Sequence, residues 1–175
     1  NKKNSNALKR NSGYKAARYQ NIVFIDDDCL PLKNFLIDYL EIFKKLNKKE
    51  IICGSVLYQQ KLNNKNFYKY RQSRHYILKK KQFSLNRKLS ASKIVTMNMG
   101  LKKTKYLNGL MLFDERFGKY GFEDYEFGFR FLKNGFKIIP SHPSVLHMDS
   151  RSFKKYLNKI YFLSIKSVNI LKKIS

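Results

Sequence analysis

The sequence predicts an α/β sheet domain, and three observations carry that expectation. Short apolar runs of strand length and β-rich composition occur at 22–25 ("IVFI"), 51–58 ("IICGSVLY") and 93–101 ("KIVTMNMGL"). They alternate with segments of helical apolar spacing, "KNFLIDYLEIFKKL" at 33–46 and "FEDYEFGFRFLKNG" at 122–135. At 175 residues and 43% hydrophobic, the chain is long and apolar enough for one core, with no repeats and no Pro/Gly/Ser linker.

The elements follow in order. Residues 6–19 predict a helix on Leu8, Ala16 and Ala17, interrupted near Gly13. "IVFI" is the first strand, and Pro31, lacking an N–H, forbids a continuing ladder. The helix at 33–46 presents Phe35, Leu36, Tyr39, Leu40, Ile42, Phe43 and Leu46. In the strand at 51–58, Gly54 signals close approach of another backbone or of a ligand. Residues 61–93, polar, basic and aromatic, read as a partly helical surface excursion. Within them, "YKYRQSRHYILKKKQF" at 68–83 reads as a solvated face, or else as a phosphate- or acceptor-binding loop. A strand at 93–101 and a loop at 112–121 come next, then the helix at 122–135, stopped by Gly135. "FKII" and "SVLH" read as two short strands flanking a turn from Pro140 to Pro143. Residues 1–150 form the domain, and residues 151–175 a trailing basic amphipathic helix. That helix gathers Phe153, Tyr156, Leu157, Ile160, Tyr161, Leu171 and Ile174 near one side. The stripe is expected to pack on the domain with its lysines outward, with contact to an anionic membrane as the other reading.

The formal net charge is +25, from 37 basic and 12 acidic residues. An anionic partner would explain it. So would composition: Lys, Asn, Ile, Phe and Tyr all have A/T-rich codons. Only eight of the basic residues are Arg, the residue suited to planar phosphate and base recognition, so nucleic acid is not the favoured partner. Cys29 and Cys53 each end an apolar run, read as core residues, and show neither disulfide nor zinc spacing. A reduced, cytoplasmic setting follows, at or near the inner face of a membrane. No apolar run approaches the length of a membrane span.

Against that charge, Asp26, Asp27 and Asp28 stand together at the end of the first strand. If the extended conformation continued, Asp26 and Asp28 would share one face. Two carboxylates so close repel unless a cation joins them, and a divalent metal with oxygen ligands is the simplest resolution. The other reading is a turn or helix cap. A second group, Asp114, Glu115, Glu123, Asp124 and Glu126, puts five of the 12 acids within residues 114–126, among Phe113, Phe117, Tyr120, Phe122, Tyr125, Phe127 and Phe129. Acids among aromatics suit a sugar, whose C–H faces pack on rings while its hydroxyls bond carboxylates. A solvated helix start is the plainer alternative.

"KRNSGYKAARYQNIVFIDDDCLP" resembles the central stretch of family 2 glycosyltransferases of the GT-A fold. The match lies at Arg10, Asn11, Gly13, Ala17, Asp26 and Asp28. "YGFEDYEFGFR" is similar to a W-G-x-E-D-x-E-x-G-x-R signature of bacterial capsule and chondroitin-type polymerising enzymes and of galactosyltransferase C-terminal regions. It matches at Gly121, Glu123, Asp124, Glu126, Gly128 and Arg130, with Tyr120 in place of Trp. The resemblance, over roughly residues 8–150, implies a mixed sheet flanked by helices and an inverting, metal-dependent sugar transfer in surface polysaccharide synthesis. It implies Asp124 as the catalytic base, and Glu123, Tyr120 and Phe122 on the acceptor. Arg10, Asn11, Asp26 and Asp27 fall on the donor, although Asp27 is the most dispensable of its three. Asp26, Asp28 and His147 would hold Mn²⁺, or Mg²⁺, and the imidazole favours Mn²⁺. His75 and His142 receive no role. The partners implied are a nucleotide-diphospho-sugar, UDP-linked by family habit, and a glycan or lipid-linked acceptor. The resemblance further implies that the first β-α-β units lie before residue 1, which would leave residues 1–175 weakly active alone. A basic nucleic-acid-binding protein and a non-catalytic sugar-binding scaffold are the rival readings.

Overall fold

The computed structural model describes residues 5–59, 65–75, 88–104, 107, 112–117, 121–149 and 152–173. Its elements are α1 (Asn6–Ala16), β1 (Asn21–Ile25), β2 (Cys29–Pro31), α2 (Phe35–Lys45), β3 (Glu50–Tyr58), α3 (Lys65–Ser73), a 3-10 turn (Ala91–Lys93), β4 (Asn98–Lys102), α4 (Glu123–Lys133), β5 (Lys137–His147) and α5 (Phe153–Leu171). The strands form a mixed sheet in the order β1-β4-β3-β5-β2. Only the central β3–β5 pair is parallel. The predicted α/β class holds, with helices flanking the sheet.

Branched and aromatic residues fill the core. Ile51 and Ile52 of β3, Met99 and Leu101 of β4, and Ile138 and Ile139 of β5 are all buried. Tyr39 of α2 and Phe127 and Phe131 of α4 join them, with Phe113 stacked on Phe127 at 4.9 Å between ring centroids. Burying one such side chain contributes roughly 1.5–3 kcal/mol.

Several boundaries differ from expectation. α1 runs through Gly13 without a break, started by Ser5, whose Oγ accepts from the Leu8 N–H at 3.1 Å. The strand expected at 93–101 is only Asn98–Lys102; residues 91–93 form the 3-10 turn instead. The expected "FKII" and "SVLH" strands are one strand, β5, with both prolines inside it. The register explains how. Cys53 faces Pro140 while Ser55 faces Ser144, so β5 carries extra residues over that step and the prolines need donate nothing. Side chains serve the bulge: Asn98 Nδ2 donates to the Ser55 and Pro143 carbonyls, both at 2.9 Å, and Ser55 Oγ donates to Ser141 O at 3.1 Å. Tyr39 Oη donates to Asn98 Oδ1 at 2.6 Å and locks α2 onto this point. Gly54 is required here because a Cβ would collide with the Asn98 amide, so the close approach is by a buried side chain, not by backbone or ligand. Pro31 also sits in the ladder, opposite Val145, tolerated because β2 is an edge strand. In the basic stretch at 68–83, residues 76–83 lie outside the described residues.

Candidate functional site

Two acidic groups converge at one end of the sheet. β1 stops at Ile25, and residues 26–28 turn, with the Cys29 N–H donating to Asp26 O at 3.1 Å. The turn overrides the strand alternation that would have put Asp26 and Asp28 on one face. Asp26 Oδ1 instead meets Arg10 Nη2 at 3.2 Å. Asp28 Oδ2 meets His147 Nε2 at 3.0 Å, because the β2–β5 ladder sets Cys29 opposite His147 and the Met148 N–H donates to Asp28 O at 2.8 Å. Asp27 is exposed.

The second group begins at a strained corner. Gly121 has φ 103° and Phe122 φ 66°, a left-handed conformation uncommon for a side chain of that size. Glu123 holds the corner: its Oε2 accepts from the Gly121 N–H at 2.8 Å and its Oε1 from Arg10 Nη1 at 2.9 Å. Both carboxylate oxygens are therefore engaged within the protein, which gives Glu123 a scaffolding part beside the expected acceptor contact. Arg10 thus joins Asp26 to Glu123. Burial opposes its charge, but the two carboxylates raise its pKa. Asn11 is engaged likewise, its amide donating to Phe113 O at 2.8 Å and Glu115 Oε1 at 2.9 Å and accepting from the Phe113 N–H at 2.9 Å. It pins α1 to the 112–117 loop.

Much of the rest of the "GFEDYEFGFR" stretch is structural. Arg130 forks onto Glu126 (Nε–Oε1 2.6 Å, Nη2–Oε2 3.0 Å) and donates to Leu112 O at 2.8 Å. Gly128 lets α4 approach the 3-10 turn, where a Cβ would stand 3.2 Å from Ala91 Cα. Asp124 is the exception. Its Oδ1 accepts from the Tyr125 N–H at 2.9 Å, and burial and the charge of Glu123 push its carboxyl up to about 6 against the pull of Arg10. A carboxyl poised near neutrality is suited to take a proton.

Asp26, Asp124 and His147 line one cavity of about 450 Å³, with Phe122 and Tyr125 on its wall. A groove of about 610 Å³ runs beside it along α1 and β1 and reaches Asp27 and Asp28. Tyr120 lies outside the described residues. His142 faces Asp38 of α2, at 3.5 Å.

The side chains that frame His147 carried no assignment from sequence. Arg71 Nη1 and Asp149 Oδ2 form a buried ion pair at 2.8 Å. The Arg71 guanidinium lies 4.2 Å from the Tyr58 ring centroid, and Tyr58 packs edge-on to His147 at 5.2 Å. Tyr58 Oη is 2.6 Å from His75 Nε2. Burial, with Arg74 and Arg71 nearby, pushes His75 down to about 3, so it is neutral near pH 7. The one available signal was Asp149, a lone acid just past "SVLH".

Asp28, Cys29 and His147 each place a ligand atom within 4.8 Å of the others, while Asp26, paired with Arg10, is outside that trio. The Asp28–His147 separation of 3.0 Å suits adjacent ligands about 2.1 Å from an octahedral ion. Cys29 fits less well as a donor. Burial, then Asp28 and Asp26, push its thiol up to about 12, so it stays protonated. The remaining oxygen and imidazole donors fit Mn²⁺, and less closely Mg²⁺.

No curated protein matches the chain at significant similarity. The model of "glycosyltransferase like family 2" matches residues 2–161, nearly the whole chain, and its mixed sheet and flanking helices agree with a GT-A-like, Rossmann-type arrangement. The chain belongs to the glycosyltransferase-like family 2.

Proposed function

We propose that this protein transfers a sugar, with inversion, from a nucleotide-diphosphate donor to a glycan or lipid-linked acceptor in surface polysaccharide synthesis. The observation that carries the proposal is the meeting of Asp26, Asp124 and His147 on one cavity, with Asp28 in contact with His147. The groove along α1 and β1 offers the donor a path to the Asp26–Asp28 turn. Asp28 and His147 would hold the metal. Mn²⁺ or Mg²⁺ bound there supplies Lewis-acid stabilisation of the departing diphosphate. Asp26 steadies Arg10 at the rim. The acceptor hydroxyl attacks the anomeric carbon while the bond to the diphosphate breaks, and its proton passes to the Asp124 carboxylate. Phe122 and Tyr125 form an aromatic wall for the acceptor ring.

The test is nucleotide release from a panel of nucleotide-sugars in the presence of Mn²⁺, alongside direct Mn²⁺ titration. Wild type should bind Mn²⁺ and release nucleotide, and Asp28→Ala should lose both. Turnover by Asp28→Ala at the wild-type rate would refute the metal assignment.

A further inference from the structure

α5 presents two different flanks. On one, Tyr156 packs on Phe67 and Tyr70 of α3, at 5.2 and 6.2 Å between ring centroids, and Ser167 is buried. On the other, Leu157, Tyr161 and Ile165 are 48%, 63% and 50% exposed. Their spacing places them on one face, within an arc of about 80° at 3.6 residues per turn. Of the expected stripe, Phe153 and Tyr156 therefore pack on Phe67 of α3, Leu157 and Tyr161 stay exposed, and Ile174 lies outside the described residues.

The charge around this face selects its occupant. Residues 150–175 contain no acid, and of their six lysines Lys154 and Lys172 fall on this side of the helix while Lys155, Lys159, Lys166 and Lys173 fall on the other. Lys154 and Lys172 are exposed and project near the edge of the apolar arc. A second copy docked face to face would set lysine against lysine, between chains of net charge +25 each. A bilayer with anionic headgroups meets both requirements, apolar depth for the stripe and negative charge for the lysines. None of the described helices is long and apolar enough to cross a membrane, so the geometry is that of a helix lying in the interface.

We propose that α5 docks the protein on an anionic lipid surface, with Leu157, Tyr161 and Ile165 entering the headgroup–acyl boundary. The same helix lends Tyr156, Lys159, Ile160 and Leu163 to the wall of the 450 Å³ cavity. Docking therefore holds the cavity about one helix diameter, roughly 10 Å, from the headgroups. The proposal stands apart from the transfer chemistry and can be tested without it.

The test is co-sedimentation of the whole chain with vesicles of equal parts phosphatidylglycerol and phosphatidylcholine, against phosphatidylcholine alone. Binding should require the anionic lipid and weaken with salt. Leu157→Glu/Ile165→Glu should reduce partitioning about tenfold or more, with the circular-dichroism melt unchanged. The chain has no Trp, so Tyr161→Trp gives a single tryptophan, excited apart from the tyrosines, whose emission should shift to the blue on the mixed vesicles. Should the double variant melt early, the Tyr161→Trp emission decides alone. Absence of vesicle binding or an unshifted emission would overturn the proposal. So would equal binding by a folded double variant, which marks plain charge adsorption, or a solution dimer that the double substitution dissolves.

Discussion

The turn at Asp26–Asp28 and the helix start at Glu123–Glu126 are both acidic, yet they are built in opposite ways. In the turn the Asp28 side chain is 45% exposed beside His147, Asp27 is exposed, and Asp26 reaches Arg10. At the helix start Glu123 and Glu126 are buried and already matched, one to Arg10 and one to Arg130. A buried carboxylate must carry its counter-charge within the fold. An open one is free to take it from solution. The helix start is thus satisfied within the fold, while the turn leaves Asp27 and Asp28 exposed to solution, the division on which the proposed metal and base roles rest.

The sharpest way to break this division is Asp124→Asn. Turnover should fall 10²–10⁴-fold, the usual range for loss of a general base, while Mn²⁺ affinity is unchanged. The base works deprotonated, so wild-type kcat/KM should rise with pH through about 6 and level off above it. A profile flat from pH 5 to pH 7 would sink the assignment. Arg10→Met tests the link between the regions. It strands Glu123 in the interior, and breaking a buried pair typically costs about 3–5 kcal/mol. A chemical-denaturation curve displaced by less than about 1 kcal/mol would mean that Glu123 is satisfied without Arg10. Arg71→Met probes the frame behind His147. Loss of such an outer support should weaken Mn²⁺ binding about 10–100-fold by titration. Asp27→Ala should have the smallest effect, since the side chain is exposed and outside the Asp28–His147 contact. Its stability should stay within about 0.5 kcal/mol of wild type.

The acidic motifs were visible in the sequence, but their internal roles were not. Asp28 and His147 stand out at or near the ends of apolar runs and Asp124 within an acidic cluster among aromatics, and the fold brings Asp28 and His147 together across 119 positions. The internal hydrogen bonds of Asn11 and Glu123 had no sequence signal. Spacing reports which residues are near a strand end, not which polar atoms another segment has already satisfied. Arg71 and Tyr58 received no individual role, because theirs arises from α3 lying against the end of β3, where Arg71 also reaches Asp149 beyond β5.

The sequence by itself determined the α/β class, the main helices and the places where carboxylates cluster. Apolar periodicity and composition are local properties, and they specify the type of each element and which side of it is apolar. Only the tertiary structure decided that Pro140 and Pro143 lie inside a strand, since the Asn98 and Ser55 side chains that serve that bulge come from other strands. It also decided that Asp26 turns to Arg10 while Asp28 turns to His147, and that part of the α5 stripe stays exposed. These outcomes depend on which distant groups reach a polar atom or an apolar face first. That is a matter of three-dimensional competition rather than of neighbouring residues.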